Sequence, residues 1–223
     1  MALLIFSKTT GFRHDNIPAA VSAVSELGRR AGEEVLATED ASCFTRESLE
    51  RFAAVVWLNA SGDVLDTEER AAFEHFVRAG GGYVGVHAAS AAEASWSFYA
   101  ELVGARFTGH PDPCEARLVV EDQSHPATQH LGRAWSRWDE WYDFDRNPRA
   151  DSRVLISVDE SSYRGGPAVD HPLVWCRELG RGRAFYTALG HRPEDYAEPL
   201  FVQHLRGGIA WAARFNSAAS APP

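Results

Sequence analysis

Cysteine is scarce in this chain. Cys43, Cys114 and Cys176 are its three, widely spaced and without a C-x-x-C pair, which argues against a disulfide framework or a cysteine zinc site and for a reducing cytosol. Basic charge is also short. Lys and Arg number 22 against 31 Asp and Glu, leaving a net charge of −9; nucleic-acid partners need clustered Lys and Arg, so a small neutral substrate fits better. Long hydrophobic runs are missing too: Met1 to Phe6 is followed at once by Lys8, Thr9 and Thr10, too short for a signal-peptide core or a membrane span. A soluble, unexported, cytoplasmic protein with no membrane partner is expected. No internal repeat, charge block or linker divides the 223 residues, so one α/β domain is expected over residues 1–215. The small-residue tail 216–223 is expected to be disordered.

What is present is a β-α rhythm. Ala2 to Ser7, Glu34 to Thr38, Ala53 to Asn59 and Tyr83 to Val86 read as short strands, the last a buried one bounded by glycines. Between them, Ala19 to Ala31 and Thr67 to Ala79 read as helices, the first introduced by Asp15, Asn16 and Pro18 as capping residues and early proline, the second stopped by Gly80. Ala94 to Val103 predicts a further helix. The alternation points to a doubly wound, mostly parallel sheet with helices on both faces. After Gly104 the texture changes: Arg117 to Glu121, Arg153 to Val158, Leu173 to Arg177 and Arg183 to Leu189 are strand candidates, some antiparallel, and Pro199 to Phe215 a closing helix.

The stretch Gly80 to Ser90 organises the rest. Its strand ends at His87, with Gly85 and Ala89 two positions to either side, the spacing of a sharp turn that lifts its central side chain above a sheet. In the hydrolase elbow a serine holds that place; here it is an imidazole. Tyr186 to His191 repeats the logic, a buried-looking strand ending in Gly190 and His191. The loop Thr10 to Asp15 follows the first strand, where open α/β sheets place their ligand crevice, so Arg13 and His14 are candidates.

Three histidines precede prolines, His110, His125 and His171, and one functional member with two turn or core residues is expected among them. The run Trp135 to Phe144 mixes rings with adjacent acids. It suits a pocket for a hydroxyl-rich ligand, and buried rings there raise a carboxyl pKa toward acid-base use; the competing reading is a solvated loop anchored by tryptophans. Histidines at two strand ends, with His110 and Glu140, suit proton transfer or a divalent metal, and the spacing does not choose. No H-E-x-x-H occurs.

Together, Gly11 to His14, Gly80 to His87, His125 to Thr128, Asp139 to Tyr142 and Tyr186 to His191 resemble the ThuA-like, trehalose-utilisation family. The resemblance spans Leu3 to about Phe215 and implies a flavodoxin-like fold similar to class I glutamine amidotransferases, whose elbow carries a cysteine nucleophile. His87 stands in that place, and an imidazole forms no stable thioester, so glutaminase activity is not expected. The family implies carbohydrate metabolism in bacterial pathways for disaccharides and their keto derivatives. On that reading His87 and Glu140 act as acid and base on a sugar or keto-sugar, His110 and His191 orient it or polarise its carbonyl, and Arg13, His14, Ser90, Trp138, Asp139 and Tyr142 bind it. Two alternatives stand beside it: a non-catalytic sugar-binding scaffold, and a hydrolase holding zinc through His87, His110 and His191. Seven tryptophans suit a core, a pocket or a homodimer surface.

Overall fold

The computed structural model describes residues 2–164 and 169–215; the expected disordered tail lies outside them. Strands are β1 (Ala2–Phe6), β2 (Glu34–Thr38), β3 (Phe52–Leu58), β4 (Gly82–Val86), β5 (Phe107–Gly109), β6 (Cys114–Val120), β7 (Ala134–Asp139), β8 (Asp143–Phe144), β9 (Arg153–Asp159), β10 (Pro172–Leu179) and β11 (Gly182–Thr187). Helices are α1 (Ile17–Arg30), α2 (Arg46–Leu49), α3 (Thr67–Ala79), α4 (Ser97–Val103) and α5 (Pro199–Ala213). Nine strands form one sheet in the order β2-β1-β3-β4-β11-β10-β9-β6-β7. Its first five are mutually parallel, and β10, β9, β6 and β7 extend it antiparallel.

The apolar runs of β1, β3 and β4 are buried from end to end, or nearly so, because helices cover both faces. Adjacent residues of β4 show this directly. A side chain at Gly82 would strike the Ala212 backbone of α5, whereas Tyr83 packs against Phe73 of α3, with ring centroids 6.3 Å apart, and its hydroxyl meets that of Tyr99 in α4 at 2.9 Å. The core under α3 is largely aromatic: Phe6, Phe44, Trp57 and Phe73 meet edge-on or tilted, which adds to the area they bury. A capping box between Asp66 and Glu69 starts α3, and Gly80, at φ 125°, ends it.

Three expectations need correction. The helix expected from Ala94 begins only at Ser97; a 3₁₀ turn over His87–Ala91 intervenes, followed by the buried Glu93, whose carboxylate accepts the N–H groups of Val64 and Leu65. Asn16 stands at the start of α1 but its side chain caps nothing there. The run from Trp135 is not a loop at first: β7 pairs with β6 and buries Trp135, Arg137 and Asp139 on alternate positions. Among the described residues, no helix is long and apolar enough to cross a membrane.

Behind β11, α5 buries His204 completely. Its Nδ1 donates to the Ala127 carbonyl at 2.8 Å and its Nε2 accepts from the Thr187 hydroxyl at 3.2 Å, an arrangement that suits the neutral ring. Burial pushes His204 down to about 3 and His125 down to about 4. Both values lie below the roughly 6.5 of an unfolded histidine, so their contribution is complete above that pH and is lost as pH falls toward the folded values. Urea denaturation should show stability falling between pH 6.5 and 4.5, by up to about 1.4 kcal/mol per pH unit for each histidine kept neutral. His204→Gln should flatten that part of the profile.

Candidate active site

The carboxyl ends of β1, β4 and β11 open onto the same side of the sheet, and each is followed by a histidine: His14, His87 and His191. At the elbow, His87 has φ 50°, a left-handed conformation that costs a residue other than glycine about 1–3 kcal/mol and persists only when its surroundings enforce it. Here the enforcement is visible. The Tyr186 hydroxyl donates to the His87 carbonyl at 2.9 Å and lies 2.8 Å from the Ser90 hydroxyl. Gly85 is required just before the turn, since a Cβ there would lie 2.5 Å from the Tyr83 hydroxyl oxygen.

The ring of His87 is fixed as firmly as its backbone. Nδ1 lies 2.6 Å from the Ala188 carbonyl, which only accepts, so Nδ1 carries the hydrogen and Nε2 faces the site. Around that nitrogen stand the Tyr142 hydroxyl at 2.9 Å, Glu140 Oε2 at 3.3 Å and His191 Nδ1 at 3.4 Å. His191 Nδ1 is itself 3.3 Å from Glu140 Oε2, His14 Nε2 is 4.0 Å from it, and His110 Nε2 reaches the other oxygen, Oε1, at 3.1 Å. Four imidazoles thus surround one carboxylate.

Glu140 is placed by its neighbour. The carboxylate of Asp139, fully buried, accepts backbone N–H groups from Glu140 at 2.9 Å, Gly190 at 3.0 Å and His191 at 3.1 Å, and pairs with Arg137 at 3.1 Å. It clamps the end of β7 to the loop after β11. Gly190 turns there at φ 101°, packed so closely that a Cβ would approach Phe201 to 2.6 Å. From the third side, the Asn16 amide donates to the carbonyls of Gly190 and His191 at 2.6 and 2.9 Å. That residue looks like a helix cap in the sequence, and nothing in its spacing signals the role it has.

Electrostatics follow from the geometry. Burial would raise the Glu140 carboxyl, but the imidazoles of His14, His191 and His87 hold it well below the usual carboxylate range, opposite to the rise expected from the surrounding rings. His191 is raised by its hydrogen bond to Glu140. His14 is lowered, chiefly by burial and further by the charges of His87 and His191. Burial keeps Tyr142 protonated, so its hydroxyl donates to His87 Nε2.

The other expected residues divide. Trp138 lies at the rim, its ring 6.2 Å from His191 and 4.6 Å below the Arg192 guanidinium. Phe12, 72% exposed, packs edge-on against His14 and was not singled out by sequence. Asp139 holds backbone. Ser90 is buried beneath the elbow, its hydroxyl bonded to Tyr186, and Arg13 forks onto Glu39 at the surface at 2.7 and 3.1 Å; the bonds of both go elsewhere than the cluster. Of the three His-Pro histidines only His110 joins Glu140, while His125 accepts from the Ala127 N–H and His171 bonds Glu160 and the Tyr142 carbonyl.

A mixed α/β sheet of this order, with a strained elbow that carries a histidine, defines the class of protein: an α/β protein whose candidate site lies at the carboxyl ends of its parallel strands. The family model ThuA, described as trehalose utilisation, matches residues 2–212, and the chain belongs to that family. No functionally curated protein matches the sequence. Among solved structures, a ThuA-like protein from Bacteroides uniformis ATCC 8492 has a TM-score of 0.80 at 23% identity, covering 97% of this chain and 93% of that one. A ThuA-like protein from Parabacteroides merdae ATCC 43184 has a TM-score of 0.76 at 21% identity, covering 100% and 94%. The β-galactosidase of Halorubrum lacusprofundi shares the fold at a TM-score of 0.59 and 18% identity, over 100% of this chain but 32% of its own.

Asp139→Asn places an amide N–H among donors and leaves Arg137 short of a buried charge. Urea unfolding should show a loss of about 3 kcal/mol or more, the usual cost of breaking a buried pair from one side.

Proposed function

We propose that this chain is an enzyme of carbohydrate metabolism that acts on a sugar or keto-sugar at the cluster around Glu140, and that it has no glutaminase activity. The observation that carries the reading is the convergence of four imidazoles on one carboxylate at the carboxyl ends of the parallel strands, with a tyrosine hydroxyl on one of those imidazoles. The family description, trehalose utilisation, supports a sugar as the substrate class.

A keto-sugar suits the groups present. Proton transfer next to a carbonyl needs a base near the carbon and a positive or hydrogen-bonding partner for the enediolate oxygen. His14 and His191 line the place where that oxygen is stabilised, with Glu140 beside them as a carboxylate, while His87 turns a lone pair and not a hydrogen toward the site. His110 moves the proton: its side chain is 35% exposed and stands at the mouth on Glu140 Oε1, within reach of a bound molecule. Tyr142 donates from the buried side. Phe12 and Trp138 offer flat apolar surface to a pyranose ring at the rim. Isomerisation or elimination follows from the same enediolate.

The test is incubation with keto-disaccharides, oxidised trehalose among them, in deuterated water. The wild type should form product and exchange deuterium into the carbon next to the carbonyl. His110→Ala should lower both rates by about 10²–10⁴, the range for loss of a general acid-base group. Saturable binding with no product and no exchange, or rates indifferent to His110→Ala and His87→Ala, would overturn the proposal.

A further inference from the structure

The spacing of the donor atoms carries a second inference about the same site, resting on the enzyme reading for its use but not for its detection. Glu140 Oε2, His87 Nε2 and His191 Nδ1 form a triangle with edges of 3.3, 3.3 and 3.4 Å. Zinc-type ions bind nitrogen and oxygen at about 2.0–2.1 Å in a tetrahedron, whose edges are then about 3.3–3.4 Å. An octahedral magnesium ion with similar bond lengths would need edges of about 2.9 Å and prefers oxygen ligands. The triangle matches one face of the tetrahedron.

The hydrogen bonds behind the donors point the same way. The Ala188 carbonyl takes the Nδ1 hydrogen of His87 and turns the Nε2 lone pair inward, the usual second partner of a metal-bound imidazole, while His110 holds the free oxygen of Glu140. That lone pair faces a carboxylate oxygen at 3.3 Å, with one tyrosine hydrogen to share. A cation between them relieves the repulsion. His14 is 7% exposed, its Nδ1 has no hydrogen-bond partner among the described residues, and its Nε2 lies 4.0 Å from Glu140, beyond hydrogen-bond reach. All four donor atoms lie within 4.8 Å of one another.

We infer that His87 Nε2, His191 Nδ1 and Glu140 Oε2 bind one first-row divalent cation of zinc type, with the fourth position, beside His14, open to water or a substrate oxygen. Two histidines, one glutamate and an open vertex form a ligand set suited to polarising a carbonyl.

Protein purified without a histidine tag and stripped with chelator should be titrated with zinc by calorimetry and with Co²⁺ by visible absorption. One ion per chain is expected, with the intense visible bands of four- or five-coordinate cobalt. Glu140→Gln and His191→Ala, checked for unchanged circular dichroism, should each weaken binding at least tenfold and abolish the bands. The surface variant His75→Ala should change neither. Absence of saturable binding, or affinity and bands that survive both substitutions, overturns the inference. Because binding is read without any sugar, failure of the keto-sugar assay overturns the enzyme reading alone, and failure of the zinc and cobalt titrations overturns this inference alone.

Discussion

Three backbone N–H groups converge on the buried carboxylate of Asp139, and through them the end of β7 is joined to the loop after β11. Glu140 and His191 stand side by side because they are the next residues along those two segments. The carboxylate is tolerable in the interior only because Arg137 lies beside it, and Arg137 in turn is shared with Asp195 at 3.0 Å and Glu198 at 3.2 Å. An ionic lattice beneath the site thus sets the spacing of the atoms above it.

On the opposite side the constraint is steric. His87 is held at φ 50° by the Tyr186 hydroxyl below and by the Ala188 carbonyl on its ring, so backbone strain and tautomer are fixed together. The amidotransferase elbow uses such a turn to expose a nucleophile. Here it aims a nitrogen lone pair at Glu140.

Much of this was legible in the sequence, for physical reasons. Buried parallel strands give uninterrupted apolar runs, so β1, β3 and β4 could be read almost to the residue, and the small residues around His87 announced the turn. The parallel half also told which loops share a crevice, which brought His14, His87 and His191 under suspicion together. β7 was hidden because two of its three inward residues, Arg137 and Asp139, are charged, so its period of two does not show as apolar alternation. Asn16 was hidden because its partners, Gly190 and His191, are 174 and 175 residues away. The direction of the Glu140 shift was misjudged for the same reason: the neighbouring rings in sequence are tryptophans, but the neighbours in space are histidines.

The position of β11 links the site to the order in which the chain is made. This strand lies between β4 and β10, in the middle of the sheet, yet it is the last of the eleven to be synthesised and leads directly into His191. Until it emerges from the ribosome, β4 presents a bare edge and the parallel half cannot close, a state exposed to pairing with other chains. The insertion that covers the edge also delivers the final histidine. A nascent or truncated chain therefore cannot assemble the cluster on an unfinished sheet.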